Sequence, residues 1–294
     1  MPERGAIRRV EELSQNAWPP LQTMLLDGWV LRFSDGYTKR ANSVSPLYRG
    51  MVGAERKASI CEEAYSTRGL DTVFKLTAAS VPANLGRILS ERGYRRVGGA
   101  SVQTLRLRGR TWPSTGAVET SEVLSERWLS AYFEMSGVDP RMRETARKML
   151  LNTVPRKLFA SVAEGDKVVA CGMGVAEDAH IGIFDVVTHP DHRRRGHARA
   201  LVLSLLRWGE QAGAGTGYLQ VEPDNGPAVA LYQGIGFSEA YPYWYMVKAR
   251  PGAVERTEAG REIRARDSVR HGGPARPPQL PGRGSGRSRR LLKP

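Results

Sequence analysis

The run Phe184-Asp-Val-Val-Thr-His-Pro-Asp-His-Arg-Arg-Arg-Gly-His-Ala-Arg-Ala200 joins a β-rich segment to a basic, glycine-containing turn that opens into a helical pattern. Amides at a helix start lack partners in their own helix, and the helix dipole adds partial positive charge there. With Gly196 allowing close approach of the backbone and Arg193, Arg194 and Arg195 around it, this turn suits a pyrophosphate. Taken alone, it reads equally well as a solvated basic turn before a helix. Asp185 stands among Ile183, Phe184, Val186 and Val187, where a carboxylate is costly unless it faces a cleft. His189 and His192 lie on the turn, where solvent or phosphate contact suits them better than proton transfer.

The elements that must hold these groups follow from periodicity and punctuation. His180 to Val187 reads as a strand, and Ala198 to Gln211 as an amphipathic helix with Leu201, Leu205 and Trp208 on one stripe. A strand at Tyr218 to Val221, a helix at Pro227 to Gln233 and a strand at Tyr241 to Val247 follow. Upstream come helices at Ser125 to Met135 and Pro140 to Leu151, and strands at Lys157 to Val162 and Lys167 to Val175. An earlier α/β segment is separated by Arg-Thr-Trp-Pro-Ser-Thr-Gly-Ala-Val (110–118), whose Pro113 and Gly116 mark a loop or linker. It reads as a strand at Gly28 to Phe33, a turn at Ser34-Asp35-Gly36, a return strand from Tyr37, and a helix at Ala54 to Thr67. A strand at Thr72 to Leu76, a helix at Pro82 to Arg92 and a strand at Val97 to Leu107 complete it. Both segments carry a helix–Gly–aromatic junction, Arg92-Gly93-Tyr94 and Ile235-Gly236-Phe237, consistent with an old duplication or with a common helix ending.

The chain has 294 residues, 40% hydrophobic and 25% charged, the composition of a globular protein. No apolar run approaches the ~20 residues of a bilayer span. The start, MPERGAIRRVEELSQNAWPP, has no apolar core of a secretory signal. Cys61 and Cys171 stand far apart, which speaks against a disulfide framework or a zinc site and suits buried thiols in a reducing cytoplasm. The net charge is +14; from Arg250 onward 12 Lys and Arg oppose 4 Asp and Glu, so +8 sits in the tail and +6 on residues 1–249. The tail, residues 250–294, is rich in Arg, Gly and Pro and is expected to be disordered. The moderately basic body suits a polyanionic ligand, either a nucleotide phosphate or nucleic acid.

The sequence resembles the GNAT acetyltransferase superfamily. Arg193, Gly196 and Ala198 match its Arg/Gln-x-x-Gly-x-Gly/Ala phosphate loop, with Ala198 in place of the commoner second glycine. Glu222-Pro-Asp-Asn225-Gly-Pro-Ala228-Val-Ala-Leu231-Tyr232-Gln-Gly-Ile-Gly236-Phe237 matches its second signature, in order and at the expected separation. The resemblance covers Ala117 to Lys248. It implies an α/β (α+β) fold with a mixed, mostly antiparallel sheet flanked by helices, arranged as 1–112, a degenerate half, 117–249, a catalytic domain, and the tail. It implies acetyl-CoA as acyl donor and no metal. The backbone of Val186, Val187 and Thr188 would pair with the pantetheine arm, and main-chain amides of Arg193, Arg194, Arg195, Gly196, His197, Ala198 and Arg199 would hold the pyrophosphate. The splay between the strands at Val186 and Val221 would admit the thioester, Asn225 would orient the cofactor or its helix, and Tyr232 would stand near the sulfur.

The implied reaction needs a neutral amine, a donor for the oxyanion and a proton for the departing thiolate. A strand amide near Val187 and the Tyr232 hydroxyl meet the last two needs. Asp185 and Glu222 are the candidates for the base, each readable also as a paired or solvated carboxylate. The first half lacks the phosphate loop and is expected not to bind CoA; Trp18, Trp29 and Arg40-Ala41-Asn42-Ser43 read as acceptor-pocket lining or as ordinary core and hairpin bonding. The acceptor is expected to be an amine on a small molecule or a protein, with no membrane partner. Two alternatives remain: a CoA-binding regulatory protein without turnover, and a nucleic-acid binder whose contacts are nonspecific and confined to the tail.

Overall fold

In the computed structural model, which describes residues 2–250, the helical stripe of the second segment becomes α6 (His197–Gln211). It buries Leu201, Val202, Leu205 and Leu206 against the sheet. Each such leucine removed from water contributes about 2 kcal/mol. Gly209 sets how closely the helix sits, since a Cβ there would lie 2.5 Å from Ile181. The expectations for the tail fall outside the described residues.

Among the described residues, eleven strands form one sheet. Numbered along the chain they are β1 (Gln22–Leu26), β2 (Trp29–Phe33), β3 (Val44–Pro46), β4 (Thr72–Leu76), β5 (Arg95–Arg106) and β6 (Glu119–Ser121). They continue as β7 (Arg156–Glu164), β8 (Lys167–Glu177), β9 (His180–Thr188), β10 (Thr216–Val221) and β11 (Ser238–Lys248). The spatial order is β1-β2-β3-β4-β11-β5-β10-β9-β8-β7-β6. Only β3–β4 and β9–β10 pair in parallel, so the sheet is mixed and mostly antiparallel, as expected. One layer, containing α1 (Arg4–Ala17), α4 (Glu126–Ser136) and α5 (Arg143–Leu151), shares a core with Phe159, Met173, Phe184 and Tyr243. On the opposite face α2 (Ala54–Ser66) and α3 (Leu85–Glu91) cover Leu31, Phe74 and Leu76, while α6 and α7 (Gly226–Ile235) cover Ile181, Leu219 and Val221.

The order contains a crossover between the two segments. Strand β5, the last of the first segment, pairs with β10 of the second; β11, the last of the second, pairs with β4 of the first; β5 and β11 lie antiparallel between them. Each segment thus presents a parallel pair completed by the other's final strand. The helix endings repeat as well. Gly93 and Gly236 have positive φ, and Tyr94 and Phe237 each donate a backbone bond of 3.0 Å to the carbonyl five residues back.

Several expected elements differ. No return strand starts at Tyr37; residues 39–41 form a 3-10 turn capped by Thr38, and the Asn42 amide accepts from the backbone of Ser34 and Gly36 and donates to the carbonyls of Ser34 and Thr38. A side chain that meets the backbone's needs this way competes with a strand ladder. The helix expected from Pro82 starts only at Leu85, and Pro140–Met142 is a separate 3-10 turn before α5. Helix α1 and strands β1 and β6 are additional to the expected elements. Trp29 is core, its indole donating to the Val81 carbonyl at 3.1 Å, and Trp18 is buried beside Tyr37. Both cysteines are buried and free.

Candidate active site

The turn between β9 and α6 is built to leave amides open. Residues 190–192 form a 3-10 turn, Arg194 and Gly196 take positive φ (63° and 84°), and α6 begins at His197. Among the described residues, the backbone amides of Arg194, Arg195, Gly196, His197, Ala198 and Arg199 meet no protein acceptor, whereas the Arg193 amide, expected to join them, closes the 3-10 turn on the Pro190 carbonyl at 3.3 Å. Such a run, with a helix N-terminus behind it, is an anion cradle. Glu164, at the end of β7, braces the turn from one side. Its carboxylate faces the Arg195 guanidinium at 3.2 Å, His192 Nδ1 at 3.2 Å and His197 Nε2 at 3.1 Å. The Arg195 side chain is therefore engaged within the protein, while Arg194 and Arg199 are exposed. Glu164, His192 and His197 also bring three potential metal-ligand atoms within 4.8 Å of one another. The arginine on the same carboxylate opposes a cation there.

The first segment has a turn in the matching place before α2, and there the cradle is filled. The amides of Met51 and Val52 donate to the Asp27 carboxylate at 3.0 and 2.8 Å, and Lys57 Nζ lies 3.3 Å from it. A Cβ on Gly50 would fall 2.0 Å from that carboxylate. The two backbone bonds, with Lys57, hold the Asp27 carboxyl below its ordinary value.

Strands β9 and β10 pair only from His180 to Ile183 and from Thr216 to Leu219; beyond these they part, leaving Val186, Val187 and Thr188 half-buried beside an open gap. In the ladder with β8, Cys171 faces Val187 and Met173 faces Phe184, so Asp185 and Val186 together stand opposite Gly172. This bulge puts Asp185 at φ 53°, a costly conformation for a non-glycine residue. Its Oδ1 accepts from the Tyr132 hydroxyl at 3.3 Å, and the Tyr37 hydroxyl lies 3.5 Å from that of Tyr132. Its Oδ2 is buried with no partner among the described residues. Burial raises the Asp185 carboxyl from 3.8 to about 6, against the opposing pull of Arg40 and the Tyr132 bond.

Tyr132 is fixed by α4. Ser125 caps that helix, and Trp128, one turn before Tyr132, stacks on its ring at 5.3 Å. Tyr37 and Arg40 come from the loop after β2, which is docked on α5 through a Thr145–Asp35 hydrogen bond of 2.8 Å. The buried Arg32 guanidinium donates to the Arg40 carbonyl at 2.7 Å, holding that backbone in place.

Tyr232 sits on α7, largely buried, with its ring edge-on to Phe237. Burial raises its hydroxyl to about 12. Asn225 is the cap of α7, its side chain accepting from the Ala228 amide at 3.2 Å, and so it orients the helix. Glu222 is exposed just past β10 and its carboxylate has no hydrogen bond or ion pair among the described residues. The structure therefore groups Asp185 with Tyr132, Tyr37 and Arg40, and leaves Glu222 outside that group. Tyr37 and Tyr132 join the site without any local motif that marks them.

A family model described as "Probable histone acetyltransferase Rv0428c C-terminal" matches residues 5–246. The chain is 27% identical over 249 residues to YobR of Bacillus subtilis (strain 168), named an uncharacterized N-acetyltransferase, covering 82% of this chain and 98% of that protein. Over 58 residues it is 40% identical to the ribosomal protein bS18-alanine N-acetyltransferase of Escherichia coli (strain K12), spanning 20% of this chain and 39% of that protein. Among solved structures, a GCN5-related N-acetyltransferase from Kribbella flavida superposes with a TM-score of 0.62 at 16% identity, covering 84% of this chain and 96% of its own. A tandem GNAT protein from the clavulanic acid biosynthesis pathway superposes at 0.58 and 12% identity, covering 83% and 89%. At these identities the structural likeness speaks for the fold alone.

Proposed function

The chain belongs to the GNAT acetyltransferases, in the family of the Rv0428c model, and from that premise we propose that it moves the acetyl group of acetyl-CoA to a primary amine by direct attack in a ternary complex. The observation that carries the donor assignment is the run of six amides without protein acceptors at the start of α6, next to the gap between β9 and β10. Acetyl-CoA, when bound, supplies an acyl group already activated as a thioester. Main-chain amides from Arg194 to Arg199 hold its pyrophosphate, and Val186 to Thr188 offer backbone partners to the pantetheine arm. The first half takes no part in donor binding, because Asp27 occupies its equivalent cradle.

Asp185 takes the proton of the attacking amine. At about 6 its carboxyl is ionised at neutral pH and far closer to the working pH than an ordinary aspartate. The backbone amide near Val187 receives the negative charge developing on the acetyl oxygen. As the nitrogen–carbon bond forms and the carbon–sulfur bond breaks, Tyr232 donates a hydrogen bond to the leaving sulfur, and the released thiolate takes its proton from solvent. A hydroxyl held near 12 stays protonated at neutral pH and keeps that hydrogen bond through the step. Glu222 is kept only as a solvent-facing acceptor at the end of β10. Calorimetric titration of acetyl-CoA into the intact protein and a Gly196→Asp variant tests the donor site. Micromolar binding that the variant loses supports it, and no binding to folded protein refutes it.

A further inference from the structure

Two opposite charges, Asp185 and Arg40, come together beside Tyr132 and Tyr37 without a hydrogen bond between them among the described residues. Asp185 has one carboxylate oxygen on Tyr132 and the other buried with no partner among the described residues. Arg40, half-buried and three residues beyond Tyr37, makes no side-chain hydrogen bond or ion pair among the described residues. A buried carboxylate oxygen without a partner, as on Asp185, is rare and costly, and commonly marks a place that a ligand completes. Arg40 is the strongest charge acting on Asp185, and its other electrostatic neighbours are Tyr243, Tyr245 and Tyr132. The two side chains are therefore close, yet no ion pair within 4.0 Å joins them. The loop that presents Arg40 is fastened by Asp35 to Thr145, by Asn42 to its own backbone and by Arg32 beneath it. It is held in place rather than free to swing away.

Resting on the acetyltransferase reading, we propose that the acceptor is an amine carrying a carboxylate, amino-acid-like in charge, whose amine meets Asp185 and whose carboxylate meets Arg40. The guanidinium fork matches a planar carboxylate through two parallel hydrogen bonds. A ligand with both charges satisfies the orphan Asp185 oxygen and gives the half-buried Arg40 guanidinium a hydrogen-bonding partner at once. A polyamine satisfies only Asp185 and brings further positive charge against Arg40. The aromatic surround of Tyr37, Tyr132, Tyr243 and Tyr245 strengthens both pairs by thinning the water around them. Arg40 would be a specificity residue contributed by the half that holds no donor.

The test uses full-length protein, acetyl-CoA and matched acceptors: free amino acids, their amides, the corresponding decarboxylated amines, and phosphoethanolamine as the phosphate arm. The wild type is expected to favour the free acids over their amides by at least tenfold in kcat/KM. Arg40→Met should bring that ratio close to one with acetyl-CoA affinity unchanged, and Arg40→Lys should restore part of it. Thermal stabilisation by the preferred acid, seen with wild type and absent in Arg40→Met, gives a readout independent of turnover. A wild type that acetylates amides or decarboxylated amines as well as acids overturns the inference and leaves the acetyltransferase reading standing. Preference for phosphoethanolamine overturns the carboxylate assignment. Transfer to no amine at all, with acetyl-CoA bound, overturns both.

Discussion

Replacing Asp185 by asparagine should make the protein more stable and nearly inactive, and the stability gain should depend on pH. Burial lifts the carboxyl from 3.8 to about 6, a net value that already includes the help of Arg40 and Tyr132. A displacement of about two units corresponds to roughly 3 kcal/mol at about 1.4 kcal/mol per unit. The folded state binds this proton more tightly than the unfolded state. Below about pH 4 both states carry it and its ionisation costs nothing. As pH rises from there to 6 the unfolded chain ionises first, and folding loses that energy; above 6 the loss is complete. The asparagine side chain, neutral throughout and nearly the same shape, avoids it. Wild type and Asp185→Asn should therefore melt alike near pH 4 and separate above pH 6, by roughly 5–10 °C at pH 8 for a body of this size. Removing a general base should lower kcat by about 10²- to 10⁴-fold. The wild-type kcat/KM should itself fall below about pH 6 as the base takes up its proton. Melting curves from pH 4 to 8, with a discontinuous thiol-release assay, measure both effects. A pH-independent difference, or an asparagine variant less stable at pH 8, refutes the burial argument; retained turnover refutes the base.

Tyr232→Phe should leave the acetyl-CoA Kd unchanged and lower kcat about 10- to 100-fold, the worth of one hydrogen bond to a developing charge; an unaltered kcat would make Tyr232 core and nothing more. Gly196→Asp should weaken acetyl-CoA at least tenfold in calorimetry through a left-handed conformation unsuited to a side chain and a negative charge facing phosphate, since a Cβ there touches nothing within 4 Å. Asp27→Ala should destabilise the protein at neutral pH. Because the Asp27 carboxyl is held below its ordinary value, that difference should vanish as pH falls through the folded-state value, which acid-denaturation curves of the two proteins can follow.

What is legible in the sequence is local. Gly196 before a helix, Asn225 with Tyr232 and Gly236, and the stripe of α6 are short-range patterns, and the structure places each on the expected element. Asp185 can be singled out because a carboxylate among apolar strand residues is conspicuous by itself. Its companions are not legible as such. Tyr132 lies 53 residues from Asp185 and Tyr37 a further 95 from Tyr132, and only the docking of α4 and of the loop after β2 unites them. Strand β1 escapes notice because all but its last residue are exposed, so no alternation shows. The return strand expected at Tyr37 does not form because Asn42 bonds the backbone there instead, a competition that leaves no trace in hydropathy.

The exchange of final strands has an evolutionary consequence. A segment whose turn before α2 is filled by its own Asp27 would ordinarily be free to shrink. Here β5 walls β10, and the second segment's own last strand is lodged against β4. Deleting the first segment would strip the second of a neighbour and strand its C-terminal strand without a sheet to join. The first segment is thereby tied to the second as scaffold, and its loops, such as the one bearing Arg40, stay at hand for change.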